Sequence, residues 1–120
     1  MPNPNIGRVP PQDIEAEKSI IGAVLLDRDA VIAVAQVLKP DHFYKQSHSD
    51  IYRAIFNLFE RREPIDLVTL TAELKSKGKF DDVGGAAYLA ELAAGVPTAA
   101  NIAQYAQIVR HHFIKRQLIT

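Results

Sequence analysis

Residues 64–78 read PIDLVTLTAELKSKG, and whether this stretch is a strand or a helix decides the fold class. The β-branched residues near LVTL suit a strand. The punctuation around them argues the other way. Pro64 breaks the chain, Asp66 is a good N-cap, and Gly78 supplies a C-terminal stop. No alternating apolar–polar run elsewhere is long enough to argue for a sheet. The expectation is therefore an all-α chain, a compact bundle of about six helices.

Upstream lies HSDIYRAIFNLFERRE, residues 48–63, which puts Ile51, Ile55, Leu58 and Phe59 on one helical face. Ser47 with Asp50 three residues later resembles a capping box that opens this helix. Before it, PDHFYKQ is a connector carrying two aromatic anchors, Phe43 and Tyr44. Asp29 is expected to cap a shorter helix through AVIAVAQVL, ended by Pro40 because the residue before a proline is pushed out of helical geometry. Earlier still, PPQDIEAEKSIIGAVLLD begins with Pro11 at a first helical position. Asp13, Glu15 and Glu17 follow at the positive end of the dipole, and the core face holds Ile14, Ile20, Ile21, Val24 and Leu25. Residues 1–9 lack periodicity and read as a flexible lead-in.

Downstream, FDDVGG is turn chemistry, and GAAYLAELAAG is a short helix bounded by Gly85 and Gly95. Thr98 or a neighbour starts the last helix. In NIAQYAQIVRHHFIKRQLIT, residues 101–120, the side chains of Tyr105, Ala106, Val109 and Phe113 form one stripe that can pack on the preceding helices. Ile114 and Leu118 fall on a different flank, and Ile108 with Ile119 on a third. A helix apolar on several sides expects another segment to cover it. With no stop signal beyond it, it reads as the first arm of a helical hairpin truncated before its turn. The division is a lead-in over 1–9, a helical head over 10–97 and a hairpin arm over 98–120. The surplus residues Ile108, Phe113, Ile114, Leu118 and Ile119 are the candidates for self-association.

Composition removes several functions. Fourteen basic residues balance fourteen acidic ones, which argues against a dedicated nucleic-acid binder, and there is no cysteine for a disulfide, thiolate metal site or nucleophile. The absence of cysteine fits a reducing, cytosolic setting. KSKGKF lacks the first glycine and the hydroxyl of a phosphate-binding loop, and no G-x-S-x-G elbow is present. Neither His42 with His48 nor His111 with His112 has the i, i+4 spacing of helical metal ligands. All four read as solvated or ordinarily hydrogen-bonded. Arg61, Arg62, Arg110, Lys115 and Arg116 read as solvated cations. No catalysis, metal or cofactor is expected in these residues, and no membrane span.

The blocks RVPPQDIEAEKSIIGAVLLD, FYKQSHSDIYRAIFNL, PIDLVTLTAELK, GGAAYLAELAAGVPTAANI and YAQIVRHHFIKRQLI, in that order, resemble the N-terminal domain of bacterial replicative DNA helicases of the DnaB type. The likeness runs from Arg8 to Thr120. One departure is REPID, where Arg62 stands at a turn that is glycine in many members. Another is VRHHF, where members often carry a charged pair.

The resemblance implies a parent that is a hexameric, ATP- and Mg²⁺-dependent 5′–3′ helicase whose RecA-like motor domain lies outside this chain. It implies dimerisation through paired hairpins, a collar built as a trimer of dimers, docking of the primase C-terminal domain, a loader protein acting on the parent, and a cytoplasmic place at the bacterial fork. Single-stranded DNA passes through the parent ring, with weak or no binding by this domain. Tyr88, an aromatic on a short Ala-rich helix, and Glu15, a first-turn acid, are the candidates for primase docking. The competing reading is a small helix-turn-helix-like DNA-binding module centred on PIDLVTLTAELKSKGKF, or a helical adaptor.

Overall fold

The computed structural model describes residues 10–95 and 101–119, with the Ile119 side chain outside that description. The described residues form six α-helices: α1 (Ile14–Leu26), α2 (Asp29–Ala35), α3 (Gln46–Glu60), α4 (Leu67–Ser76), α5 (Gly85–Ala94) and α6 (Ile102–Ile119). A single 3₁₀ turn, Pro40–His42, lies between α2 and α3, and no strand occurs among the described residues. The expected helix start at Thr98 lies outside the described residues.

The stretch 64–78 is helical for the reasons its ends suggest. The Asp66 carboxylate accepts from Thr69 N at 2.9 Å, while the Thr69 hydroxyl accepts from Asp66 N at 3.0 Å, a reciprocal cap. At the far end Gly78, with φ +69°, closes the helix: Lys79 N donates to Leu74 O at 2.9 Å and Gly78 N to Lys75 O at 3.1 Å. The same closure ends α3, where Glu63 N reaches Leu58 O at 2.9 Å and Arg62 N reaches Phe59 O at 3.0 Å. There the left-handed position, φ +59°, is held by Arg62.

Three starts differ from expectation. The first helix begins at Ile14 with Asp13 as its cap, whose carboxylate accepts from Ala16 N at 3.0 Å, so Pro11 precedes the helix. Asp29 is the first residue of α2, and it is the Asp27 carboxylate that accepts from Asp29 N at 2.9 Å. Ser47 lies inside α3 and does not cap it; its buried hydroxyl has no hydrogen-bond partner among the described residues.

Helix α1 is the hub, packing against α2, α3, α5 and α6. Five consecutive residues, Ile20–Val24, are buried, because Gly22 and Ala23 let neighbours close on the side opposite the isoleucines. Ile51, Ile55 and Leu58 of α3 and Leu70 and Leu74 of α4 complete the centre. Of the two connector aromatics only Phe43 is an anchor, packed at a tilt against Tyr52 with ring centres 4.8 Å apart, while Tyr44 is exposed. Burial pushes the Tyr52 hydroxyl pKa up, and that hydroxyl donates to Leu38 O at 2.9 Å. Arg61, read as a solvated cation, instead holds buried Glu73 of α4 at 2.6 Å, and Asn57 donates to the same carboxylate at 3.3 Å. The Arg61 guanidinium keeps the Glu73 carboxyl below the usual carboxylate range.

Candidate protein-interaction site

Three helices place a polar chain through the interior. Glu17 of α1 and His48 of α3 are 1% and 0% exposed. An unpaired charge there would cost several kcal/mol, so the partners of Glu17 decide whether the site is tenable. Its carboxylate accepts from Tyr44 N at 2.7 Å and from Lys45 N at 3.4 Å, just before the first turn of α3, and lies 2.8 Å from His48 Nδ1. A carboxylate only accepts, so His48 Nδ1 carries the proton and donates. Nε2 is then the acceptor, and the Tyr88 hydroxyl donates to it at 2.6 Å. The hydroxyl oxygen in turn accepts from Lys45 Nζ at 3.2 Å.

The chain surfaces at Tyr88 of α5. A shallow groove of about 600 Å³ opens there, lined by Lys45, Ser47, Asp82, Gly84, Tyr88 and Glu91. Lys45 also lies over the Tyr88 ring, 4.5 Å from its centre. Gly84 makes room for that ring. It has φ +110°, and a Cβ there would meet the Tyr88 Cβ at 2.7 Å, so both backbone and space require glycine. The double glycine is a helix-start turn, as its composition suggests. Tyr88 therefore has a fixed orientation and an accessible face, two properties of an interface anchor.

The second surface is the outer side of α6. Ile102, Ala106 and Val109 are buried against the body, and Tyr105 packs beside them. The five self-association candidates divide. Ile108 is partly buried against the core, and Phe113 packs at a tilt against His42 with ring centres 4.5 Å apart. Ile114 and Leu118 stand outward at 42% and 80% exposure. Ile119 closes the helix, with its side chain outside the described residues. Arg116, read as a free cation, ties this helix down by donating to Pro11 O at 2.7 Å and to His42 O at 2.8 Å.

Glu15 is exposed in the first turn of α1, and no described hydrogen bond or ion pair joins it to Tyr88. Its neighbour Glu17 is the consequential acid. Sequence reading assigned Glu17 to the dipole of its own helix, yet its carboxylate serves the start of α3. His48, read as solvated or ordinarily bonded, is fully enclosed and hydrogen-bonded on both ring nitrogens. These partners lie 31 and 40 residues apart along the chain, so no local spacing announced them.

Comparison with known proteins then decides the family. Residues 9–111 match the DnaB-like helicase N terminal domain. The chain belongs to that family. Within the DnaB-like relatives, it is 46% identical over 112 residues to the replicative DNA helicase DnaB of Geobacillus stearothermophilus. It is 49% identical over 112 residues to the replicative DNA helicase DnaC of Bacillus subtilis (strain 168). Each alignment takes in 93% of this chain and 25% of the relative, so the chain spans about a quarter of their length. The crystal structure of the N-terminal domain of DnaB helicase from Mycobacterium tuberculosis superposes with a TM-score of 0.90 at 45% identity, covering 92% of this chain and 79% of that one. A second solved structure, of a DnaB-like replicative helicase and its interactions with primase, superposes with a TM-score of 0.76 at 28% identity, covering 89% of this chain and 25% of that one. A DnaB-like N-terminal domain displaces the helix-turn-helix and adaptor readings. No described helix is long and apolar enough to cross a membrane.

Proposed function

We propose that this domain is the collar of a hexameric, ATP-driven replicative helicase, supporting subunit assembly and receiving primase, while ATP and Mg²⁺ are used by the motor domain of the parent. The observation that carries the assembly part is the outward stand of Ile114 and Leu118 on a helix whose opposite side is already buried. Apolar side chains exposed on one flank of a tethered helix are what a self-complementary contact between copies uses. Ile108, Phe113 and Ile119 flank that contact, with α6 as the first arm of a hairpin. The domain acts in the bacterial cytoplasm at the fork, where a loader serves the parent ring and the single strand passes through it.

For primase docking the groove at Tyr88 is the favoured surface, with exposed Glu15 of α1 as a second candidate. A structure of a related helicase with primase shares this fold, and Tyr88 has the rigid support an anchor needs. Isothermal titration of the primase C-terminal domain into the wild-type chain and a Tyr88→Ala variant tests this. The expected result is binding weakened by about 2 kcal/mol, the loss typical of an anchor residue, with helicity retained by circular dichroism. Undiminished affinity in a folded variant removes Tyr88 from the docking surface.

A further inference from the structure

A second groove, on the side of the molecule where α6 meets the end of α2, holds about 460 Å³. Its apolar part is Val37, Phe113 and Ile114, and its polar part includes Lys39, His42 and Arg110. We infer that it is a docking site for an acidic, amphipathic helix of a partner protein. The groove shares Phe113 and Ile114 with the self-association face proposed above, but the inference rests on Lys39 and Arg110, which that reading does not use.

Charge complementarity is the first argument. Lys39 and Arg110 are exposed, and neither has a carboxylate within ion-pair distance among the described residues. Three cations and one acid act on His42 at the same place. Burial lowers the His42 pKa; Asp41 opposes that, and Arg110, Lys39 and Arg116 add to the lowering. His42 also keeps Nδ1 free of a proton, because that atom accepts from Lys39 N at 3.1 Å. Two exposed cations, Lys39 and Arg110, without ion-pair partners among the described residues and set beside aliphatic side chains, match a ligand with acids beside an apolar stripe. The α6 side supplies Arg110, Phe113 and Ile114 on adjoining turns, a ridge against which a second helix can lie.

The aromatic geometry separates a peptide from a nucleic acid. Sequence-tolerant binding of single strands needs a free aromatic face for base stacking beside the cations. Phe113 is already engaged: its ring packs at a 38° tilt against His42, centres 4.5 Å apart, and carries the Arg116 guanidinium at 5.8 Å. Val37 and Ile114 give aliphatic surface, which favours leucine- or isoleucine-type side chains.

Selection of a phage-displayed library of random peptides, each long enough for several helical turns, tests this directly. It is run on the wild-type chain alone, and the winners are then titrated against wild type and Lys39→Glu/Arg110→Glu. Both substitutions are at exposed residues, and circular dichroism verifies that the variant is folded. The expected winners are net acidic with apolar residues at three- and four-residue spacing. They bind wild type with an affinity that falls with salt, and the variant about tenfold more weakly or worse. Winners without an acidic bias, or winners bound equally by the variant, overturn the proposal. So does oligothymidylate binding that the variant abolishes while the peptides fail, which makes the groove a nucleic-acid surface.

Discussion

Arg62 occupies a left-handed backbone position, φ +59°, at the end of α3, where Gly78 does the same task at the end of α4 with φ +69°. An L-residue with a Cβ is strained there by about 1 kcal/mol relative to glycine, although glycine gives back part of that through the entropy of the unfolded chain. The Arg62→Gly variant is therefore expected to be more stable by about 0.5 kcal/mol in urea titration with an unchanged slope. A loss of stability would show that the Arg62 side chain contributes more than its backbone strain costs. This position was legible in advance, because the resemblance singled it out as a turn where glycine is usual. Glu17 was not. An acid in the first turn of a helix has a sufficient local explanation, and only the folded chain brings His48 and the amides of Tyr44 and Lys45 to it. Tyr88 stood out as an aromatic on a small-residue helix, but its hydrogen bond to a buried imidazole was not legible.

Among the elements, the 3₁₀ turn Pro40–His42 is the footing of α6. Lys39 N donates to His42 Nδ1 at 3.1 Å, the His42 carbonyl accepts from Arg116 at 2.8 Å, and the imidazole packs against Phe113. The first of these requires Nδ1 to be unprotonated. Because the folded-state pKa of His42 is lowered, its stabilising contribution is complete above the unfolded histidine value of 6.5 and disappears as pH falls through the lowered folded value. Wild type should therefore lose more stability than His42→Gln between about pH 7.5 and about pH 5, measured by chemical denaturation. Equal losses would mean that the turn tolerates the imidazolium. Helix periodicity made α3 legible, and the flanking Asp66, Gly78, Gly85 and Gly95 made α4 and α5 legible. The starts of α1, α2 and α3 were misplaced by a few residues, because several acids and hydroxyls near each start compete for one capping role and packing selects among them.

For the whole molecule, α1 is the inner axis and α6 is the helix with unequal sides. Buried Ile102, Ala106 and Val109 fix its inner face, and Ile114 and Leu118 stand exposed on its outer side, the face proposed above for contact with another copy. The polar chain from Glu17 to Tyr88 and the ties of Arg116 hold the two candidate surfaces on one body, so each can be altered while the other stays folded. The most direct measurement is sedimentation equilibrium of wild type and Ile114→Asp/Leu118→Asp over a micromolar to millimolar range. The expected result is a weak, reversible monomer–dimer equilibrium in wild type and a monomer throughout in the variant, with identical circular dichroism. Identical association in the two proteins, or a tight hexamer formed by wild type alone, would contradict the claim that this face of α6 is where copies of the domain meet.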